Sequence, residues 1–405
     1  MGDPGDRLGS DARRLLATRG LRGLADGVVS VLLPGYLLAL GLGPFSVGAL
    51  ATATMLGSAA LTIAVGLSGH RFRRRALFVL ACTLMTLTGL GFASFRHFWP
   101  LLAVAVVGTL NPSSGDVSVF LPLEQAALAD ATLARSRAWV FALYNVVGTG
   151  TAALGALLAG APEALARATG MPFLSAARGA FVLYALVGIG AGLLYRGLSA
   201  GSSGSAAPTR TPLGSSRGTV LRLAALFSLD AFGGGFVVQA LLVLWLRQRF
   251  GVSGAQSGAL FFVVGVLGAI SQLVSGRIAE RVGYVRTMVF THLPANAFLI
   301  AAGLATDVRV AVAMLLARAA LSSMDVPARQ AYVMAVVSPA ERAAASSLTN
   351  VPRSLAAAVP PLFTGALLAA SSLGWPLVIG GAAKVLYDLL LLAQFRHVRP
   401  AEPGA

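Results

Sequence analysis

The sequence predicts an all-α membrane protein of twelve transmembrane helices, arranged as two parallel six-helix repeats. Three observations carry that prediction. The 405 residues are 56% hydrophobic and 11% charged, less than half the roughly one-quarter charged share that keeps a soluble domain wet. The apolar residues gather into runs of the roughly 20 residues that cross about 30 Å of hydrocarbon. The third observation is a stretch of 25 residues that occurs twice: Pro122 to Val146 and Pro327 to Val351 match at eight positions with a fixed offset of 205. Ala and Leu matches carry little information in so apolar a chain. The matches Pro122/Pro327, Gln125/Gln330, Arg137/Arg342 and Asn145/Asn350 carry more. In a membrane protein such a repeat points to a transporter with its site between the halves.

Taken in order, the apolar runs place spans at 23–42, 47–68, 76–95, 99–128, 138–160, 177–196, 219–246, 257–277, 287–305, 309–336, 343–370 and 375–395. With the N-terminus inside, 22 Arg fall in cytoplasmic segments and six outside, while Arg318, Arg353 and Lys384 remain within spans. That is the positive-inside distribution, so both termini are expected in the cytoplasm and the protein in the cell membrane. The same distribution explains the net charge of +16 without nucleic acid. The domain reading is a cytoplasmic tail (1–22), a six-helix bundle (23–197), a Ser/Gly/Pro-rich flexible linker (198–217), a second bundle (218–396) and a tail (397–405). The first apolar run lacks a short apolar core with a small-residue cleavage site and reads as a retained span.

Several function classes fall away. Cys82 is the only cysteine, which excludes an intramolecular disulfide, and the four His lack metal-ligand spacing. Lys384 is the only lysine and is followed by Val, so no ATP-binding Walker loop exists in this chain. HExxH does not occur, and the two GxSxG matches, 197–201 and 214–218, are low-complexity matches at the Ser/Gly/Pro-rich linker and not on a strand-to-helix turn, which argues against a membrane-embedded hydrolase. No cofactor is expected.

Two further echoes share the direction of the main repeat. GLSGHRFRRR (66–75) answers GRIAERVGYVR (276–286), and Asp26 in span one answers Asp230 in span seven. These residues carry a resemblance to the major facilitator superfamily over nearly the whole chain. The family's signature between spans two and three is G-x-x-x-D-R-x-G-R-R. The second half matches it at Gly276, Glu280, Arg281 and Gly283, and the first keeps Gly66, Arg71, Arg74 and Arg75 with His70 and Arg73 at the other key positions. The resemblance implies a cytoplasmic gate in which the Gly allows close helix approach and the acid faces a helix N-terminus. The gate Arg would pair with an acid at the cytoplasmic end of span four, for which Glu124 is placed. The antiporter pattern G-P-x-x-G-G is degraded to Gly155–Gly160 in span five and to Pro360–Gly365 in span eleven. The slot of the family's proton-coupling Arg on span four holds Ser113, while Arg318 fills its repeat-equivalent.

Candidate transport residues follow. Span four is broken by Asn111-Pro112-Ser113-Ser114-Gly115-Asp116, and such breaks are tolerated where they line a wet cavity. Asn111 lies roughly 16 Å and Asp116 roughly 24 Å inward from Pro100. Buried ionisable groups are functional candidates, so Asp116, Arg318, Asp26 and Asp230 are singled out. Arg22 stands four residues from Asp26, whereas Asp230 has no such neighbour. Asn145, Asn350 and Arg353 are further cavity or gate candidates. Asp325/Arg329 and Lys384/Asp388 have the i, i+4 spacing of local ion pairs, and the resemblance implies that the last helix faces outward. The expectation is a monomeric secondary transporter of small organic molecules in the bilayer, of efflux type, with or without proton coupling. A metabolite importer or uniporter of the same fold and a non-transporting sensor are the alternatives.

Overall fold

The computed structural model describes residues 8–68, 71–113, 118–133, 136–199, 214, 216–338 and 341–396. The first half comprises α1 (Ser10–Ala39), α2 (Pro44–Ser68), α3 (Arg74–Ser94), α4 (Phe98–Val107), α5 (Phe120–Asp130), α6 (Arg137–Leu158), α7 (Ala161–Thr169) and α8 (Phe173–Arg196). The second half comprises α9 (Arg217–Gly235), α10 (Gln239–Phe250), α11 (Gly254–Val282), α12 (Tyr284–Leu304), α13 (Val308–Ser322), α14 (Asp325–Ala335), α15 (Arg342–Ala358), α16 (Pro360–Ala370) and α17 (Trp375–Phe395). Among the described residues, eleven stretches are long and apolar enough to cross a membrane. The twelfth span is the short apolar α4 continued by α5, so the twelve-helix architecture stands.

Four of the five extra helices come from breaks inside spans four, seven, ten and eleven, and the fifth, α7, lies between spans five and six. Span four opens between Val107 and Phe120, around Pro112 as the sequence indicated. Span seven also breaks: Gly233-Gly234-Gly235 ends α9, and Val238 is extended before α10. Span ten turns at Ser323 and Met324. The first two breaks meet. The backbone N–H of Ala240 donates to the Pro112 carbonyl at 3.1 Å, which gives an acceptor inside a broken helix a partner from the other half.

Helix α1 begins at Ser10, upstream of the predicted start at 23, and buries Ala12, Leu15, Thr18, Arg19 and Arg22. Its early arginines resemble a charged tail in sequence, yet Arg19 and Arg22 turn inward, Arg22 to the partners described below. Large apolar side chains such as Leu183, Leu186, Leu193, Phe290 and Leu304 remain exposed. This is what hydrocarbon permits and water does not.

The halves meet along α2 with α15 and α16, α6 with α11, and α1 with α10. Small residues make the approach possible. A Cβ on Gly48 would collide with the Pro361 carbonyl and Gly365, and one on Gly160 would collide with Ala255. Both contacts lie at the end of the bundle away from the termini. There Glu163 also faces Arg247 at 3.7 Å and accepts from the Gly254 N–H at 3.3 Å. At the terminus-bearing end, Gly66 and Gly276 have open space where a Cβ would stand. The halves are therefore closely packed at one end, while the two signature glycines at the other end are unpacked.

Candidate functional site

Between the halves lies a cavity of about 300 Å³. From the first half it is lined by Arg19, Asp26 and Ser30 of α1, Asn111 and Ser113 of the span-four break, and Thr149 of α6. From the second half come Gln239 of α10, Gln272 of α11, Arg318 and Ser322 of α13, and Ser323 just beyond it. The Gln239 amide donates to the Ser30 hydroxyl at 2.9 Å and ties the halves together at the cavity wall. Asn111 shapes the break: its Oδ1 accepts from the Ser113 N–H at 3.1 Å and the Ser113 hydroxyl at 2.8 Å. This is the local turn that Asn makes when helix pairing is lost.

The structure therefore brings Asn111, Ser113, Asp26 and Arg318 to one cavity, from positions spread over some 290 residues of sequence. Asp116 lies outside the described residues, as does His70. Asn145 and Asn350 are exposed and do not line the cavity; the Asn350 amide donates to Ser346 at 3.3 Å on its own helix. Arg353 is half-buried, within electrostatic reach of Arg329, Asp230 and Asp325.

Two buried charge clusters flank the cavity, one in each half. In the first, Glu124 is fully buried and accepts from Arg22 at 2.5 Å, Tyr144 at 2.5 Å, Thr18 at 3.1 Å and Tyr195. The Arg22 guanidinium also stands 4.1 Å over the Phe120 ring. The Tyr184 hydroxyl sits between Asp26 at 3.3 Å and the Thr109 carbonyl at 3.1 Å. This corrects the expectation that Glu124 receives the signature arginine. Arg74 instead pairs with Asp130 at 2.7 Å, at the exposed end of α5. Glu124 is nearly two turns deeper on that helix and turns toward α1 and α8, where Arg22 and Tyr195 wait.

In the second cluster Asp230 binds Lys384 at 2.5 Å and Arg329 at 3.3 Å, with His292 Nε2 at 3.7 Å. Arg329 also holds Asp325 at 3.0 Å, as its i, i+4 spacing suggested. Asp388 faces His292 Nδ1 and the Asn296 amide, each at 3.0 Å. Two expectations are overturned. Asp230 lacks a neighbour on its own helix but has three partners from other helices. Lys384 and Asp388 do not pair locally on an outward helix: both are buried, and α17 turns them onto α9 and α12. Burying either without a partner would cost several kcal/mol, and lipid supplies none.

The repeat places these clusters in register, with the charge reversed at one equivalent pair and kept at the other. Arg329 stands 205 residues on from Glu124, and Asp230 stands 204 on from Asp26. In the first half the α1 cation Arg22 meets the acid on α5; in the second the α9 acid Asp230 meets the cation on α14. His292, Asn296, Gln239 and Gln272 were missed from sequence as isolated polar residues in apolar runs. The spacing of His292 and Asn296 at i, i+4 is the one signal that put two of them on one face.

At the gate signature, Gly283 joins α11 to α12 alone, with φ +91°, a conformation that L side chains rarely adopt. Arg73, its counterpart, has φ −65° and follows a longer connection, so no glycine is required there. Glu280 lies within α11, and Arg71, Arg281 and Gly276 are exposed.

A family model described as Major Facilitator Superfamily matches residues 15–317 and, again, 223–405. The chain belongs to the major facilitator superfamily. Among solved structures it is similar to a bacterial homolog of the human lysosomal transporter Spinster, in an inward-facing and occupied conformation. That likeness has a TM-score of 0.74 at 17% identity and covers 97% of this chain and 98% of that one. It is also similar to the inward-open xylose transporter XylE from E. coli, with a TM-score of 0.73 at 14% identity over 97% and 98% of the two chains. A curated relative, the uncharacterized membrane protein YJR124C of Saccharomyces cerevisiae, is 25% identical over 96% of this chain and 94% of its own length. As a member of this superfamily the chain is a multi-pass membrane transporter of small molecules.

Proposed function

We propose that this major facilitator protein is a secondary transporter that moves a small organic solute by rocking its two halves about the central cavity. The observation that carries the reading is the cavity at the interface, with the halves closely packed at Gly48–Gly365 and Gly160–Ala255 at one end and open space at Gly66 and Gly276 at the other. The open end is assigned to the cytoplasm, with both termini, on the arginine distribution. The state is then inward-facing, as in the Spinster homolog and XylE. A solute or proton gradient must supply the energy, because the only lysine is Lys384, 7% exposed in α17, and no ATP-binding loop is available. The proposed direction is export, the direction the overall resemblance to efflux-type members implies, although spans five and eleven keep only a degraded form of the antiporter pattern.

Asn111, Ser113, Asp26 and Arg318 are proposed as the substrate shell. Asp230 is proposed as the centre of the second-half cluster and no longer as a substrate contact. The test is counter-flow in proteoliposomes with a panel of labelled solutes, with and without a pH gradient. Accumulation against preloaded solute, abolished by Gln272→Leu together with Ser113→Leu, is the expected result. No exchange of any solute by correctly inserted protein would refute it. A reporter fused at residue 405 that reads as extracellular would refute the orientation.

A further inference from the structure

We propose that the cavity is built for a small hydrophilic organic anion, its carboxylate or phosphate seated on Arg318; this rests on the transport reading above. Arg318 lies near the centre of the span-ten helix pair and faces the cavity. Among the described residues no hydrogen bond or ion pair reaches it, and its Nε is buried without an acceptor. The neighbouring acids are already committed. Asp230 is held by Lys384 and Arg329, Asp325 by Arg329, and Asp388 by His292 and Asn296. Asp230 and Asp325 act on Arg318 through space alone.

The charge balance points the same way. In the first half, Arg19 and Arg22 are matched by Asp26 and Glu124. In the second, the four cations Arg318, Arg329, Arg353 and Lys384 stand against the three acids Asp230, Asp325 and Asp388. In the second half one positive charge is in excess among these residues, before any proton on His292 is counted. A surplus charge at membrane depth is costly until a counter-charge arrives. Of the second half's cations, Arg318 is the one that meets the cavity, so an incoming anion neutralises the surplus there.

Chemistry and size narrow the ligand. A guanidinium presents a fixed fork of donors that matches a carboxylate or phosphate with two parallel hydrogen bonds. The remaining wall is rich in hydroxyls and amides, including Ser113, Thr149, Gln272 and Ser322, which suits hydroxyl groups on the body of the ligand. About 300 Å³ is at the small end of ligand pockets, the size of a sugar acid or a short phosphate ester. The repeat explains the asymmetry: the slot equivalent to Arg318 in the first half is Ser113, so a single charge is gripped from one side.

The competing explanation is a pair between Arg318 and Asp116, which follows Ser113 by three residues in sequence. The experiment uses purified full-length protein in detergent. Its melting temperature is measured with matched ligands: gluconate against glucose, glycerol 3-phosphate against glycerol, and choline as a cation. The expected result is a rise with at least one of the two anions and none with its neutral partner. Arg318→Gln abolishes that rise without lowering the unliganded melting temperature, and Arg318→Lys binds on the order of 10- to 100-fold more weakly. Equal stabilisation by glucose, glycerol or choline overturns the proposal. So does the absence of any rise with the anions, or a rise that survives Arg318→Gln. A drop in unliganded melting temperature shared by Arg318→Gln and Asp116→Asn, and absent from the double variant, establishes the internal pair instead and also overturns it. Counter-flow separates the two readings. Exchange of a neutral solute without anion binding removes the anion and leaves transport, whereas anion binding without exchange leaves the site and removes transport.

Discussion

Removing the Glu124 carboxylate tests whether the first-half cluster is a strut or a latch. In Glu124→Ala the fully buried Arg22 loses its counter-charge, and Tyr144, Tyr195 and Thr18 lose their acceptor. Breaking a buried pair from one side costs about 3–5 kcal/mol, because the surviving charge stays buried. Orphaned hydroxyls add to that, though not in full, since they can turn to other partners. At the low end of the usual conversion for large domains the melting temperature falls by about 5–10 °C. The double variant Arg22→Leu with Glu124→Leu should recover most of the loss, since an apolar replacement of a buried pair is often neutral or better. The control is Asp130→Ala, which breaks the half-exposed Arg74 pair and costs about 0–1 kcal/mol. Thermal melts in detergent, with membrane yield alongside, read all three. A large loss in Asp130→Ala together with a silent Glu124→Ala would refute the reasoning and restore Glu124 to the gate.

Three further outcomes are expected. Gly365→Leu forces α16 off Gly48, so the closely packed end should admit a thiol reagent to a cysteine placed nearby, and flux should fall while membrane yield holds; unchanged labelling would show that this contact is not the seal. Gly276→Leu meets open space in the present state and should leave the melting temperature within about 1 °C, yet abolish exchange by blocking closure of its own end; normal exchange would show that the signature glycine has no gating role. Glu341, outside the spans, is held below the ordinary glutamate range by hydrogen bonds from the Ser216 hydroxyl and then the Gly214 N–H. A lowered folded value means the hold is complete above the ordinary pKa of about 4.3 and is lost as pH falls through the lowered one. Hydrogen exchange at 216–218, corrected for intrinsic rate, should accelerate over that acid range in the wild type and be fast at neutral pH in Glu341→Ala.

The architecture was legible because a bilayer imposes it residue by residue. Apolar runs of a fixed length and arginines concentrated in alternate connections are local signals, and the offset repeat is a comparison of the chain with itself. The break at Pro112 was legible for the same reason, since proline removes a donor wherever it stands. The partners of the charged residues were not legible. Lys384 and Asp388 satisfy the spacing rule for a local pair, as Asp325 and Arg329 do, and only the second pair forms. The spacing rule describes one helix in solvent. In a bundle, Lys384 chooses between Asp388 on its own helix and Asp230 on α9, and the choice depends on which face of α17 is buried. No local pattern shows that when the exposed face is also apolar.

That limit has a functional consequence. In a water-soluble helix the polar face marks the outside, whereas in this bundle polar residues mark the inside, and their scarcity makes each one a constraint. Asp26, Asn111, Ser113 and Arg318 are far apart in sequence yet converge on one cavity, because a carrier has no other place to keep them. The charged residues beside it divide into those satisfied by protein and those that are not. Asp230, Glu124, Asp388 and Arg329 belong to the first group and hold each half rigid as a body. Rigid halves are a condition for rocking, since a bundle that yields internally cannot transmit closure at Gly48–Gly365 to opening at Gly276. Arg318 belongs to the second group, and an unsatisfied cation in the cavity of such a machine is where a solute's own charge can shift the balance between the two states.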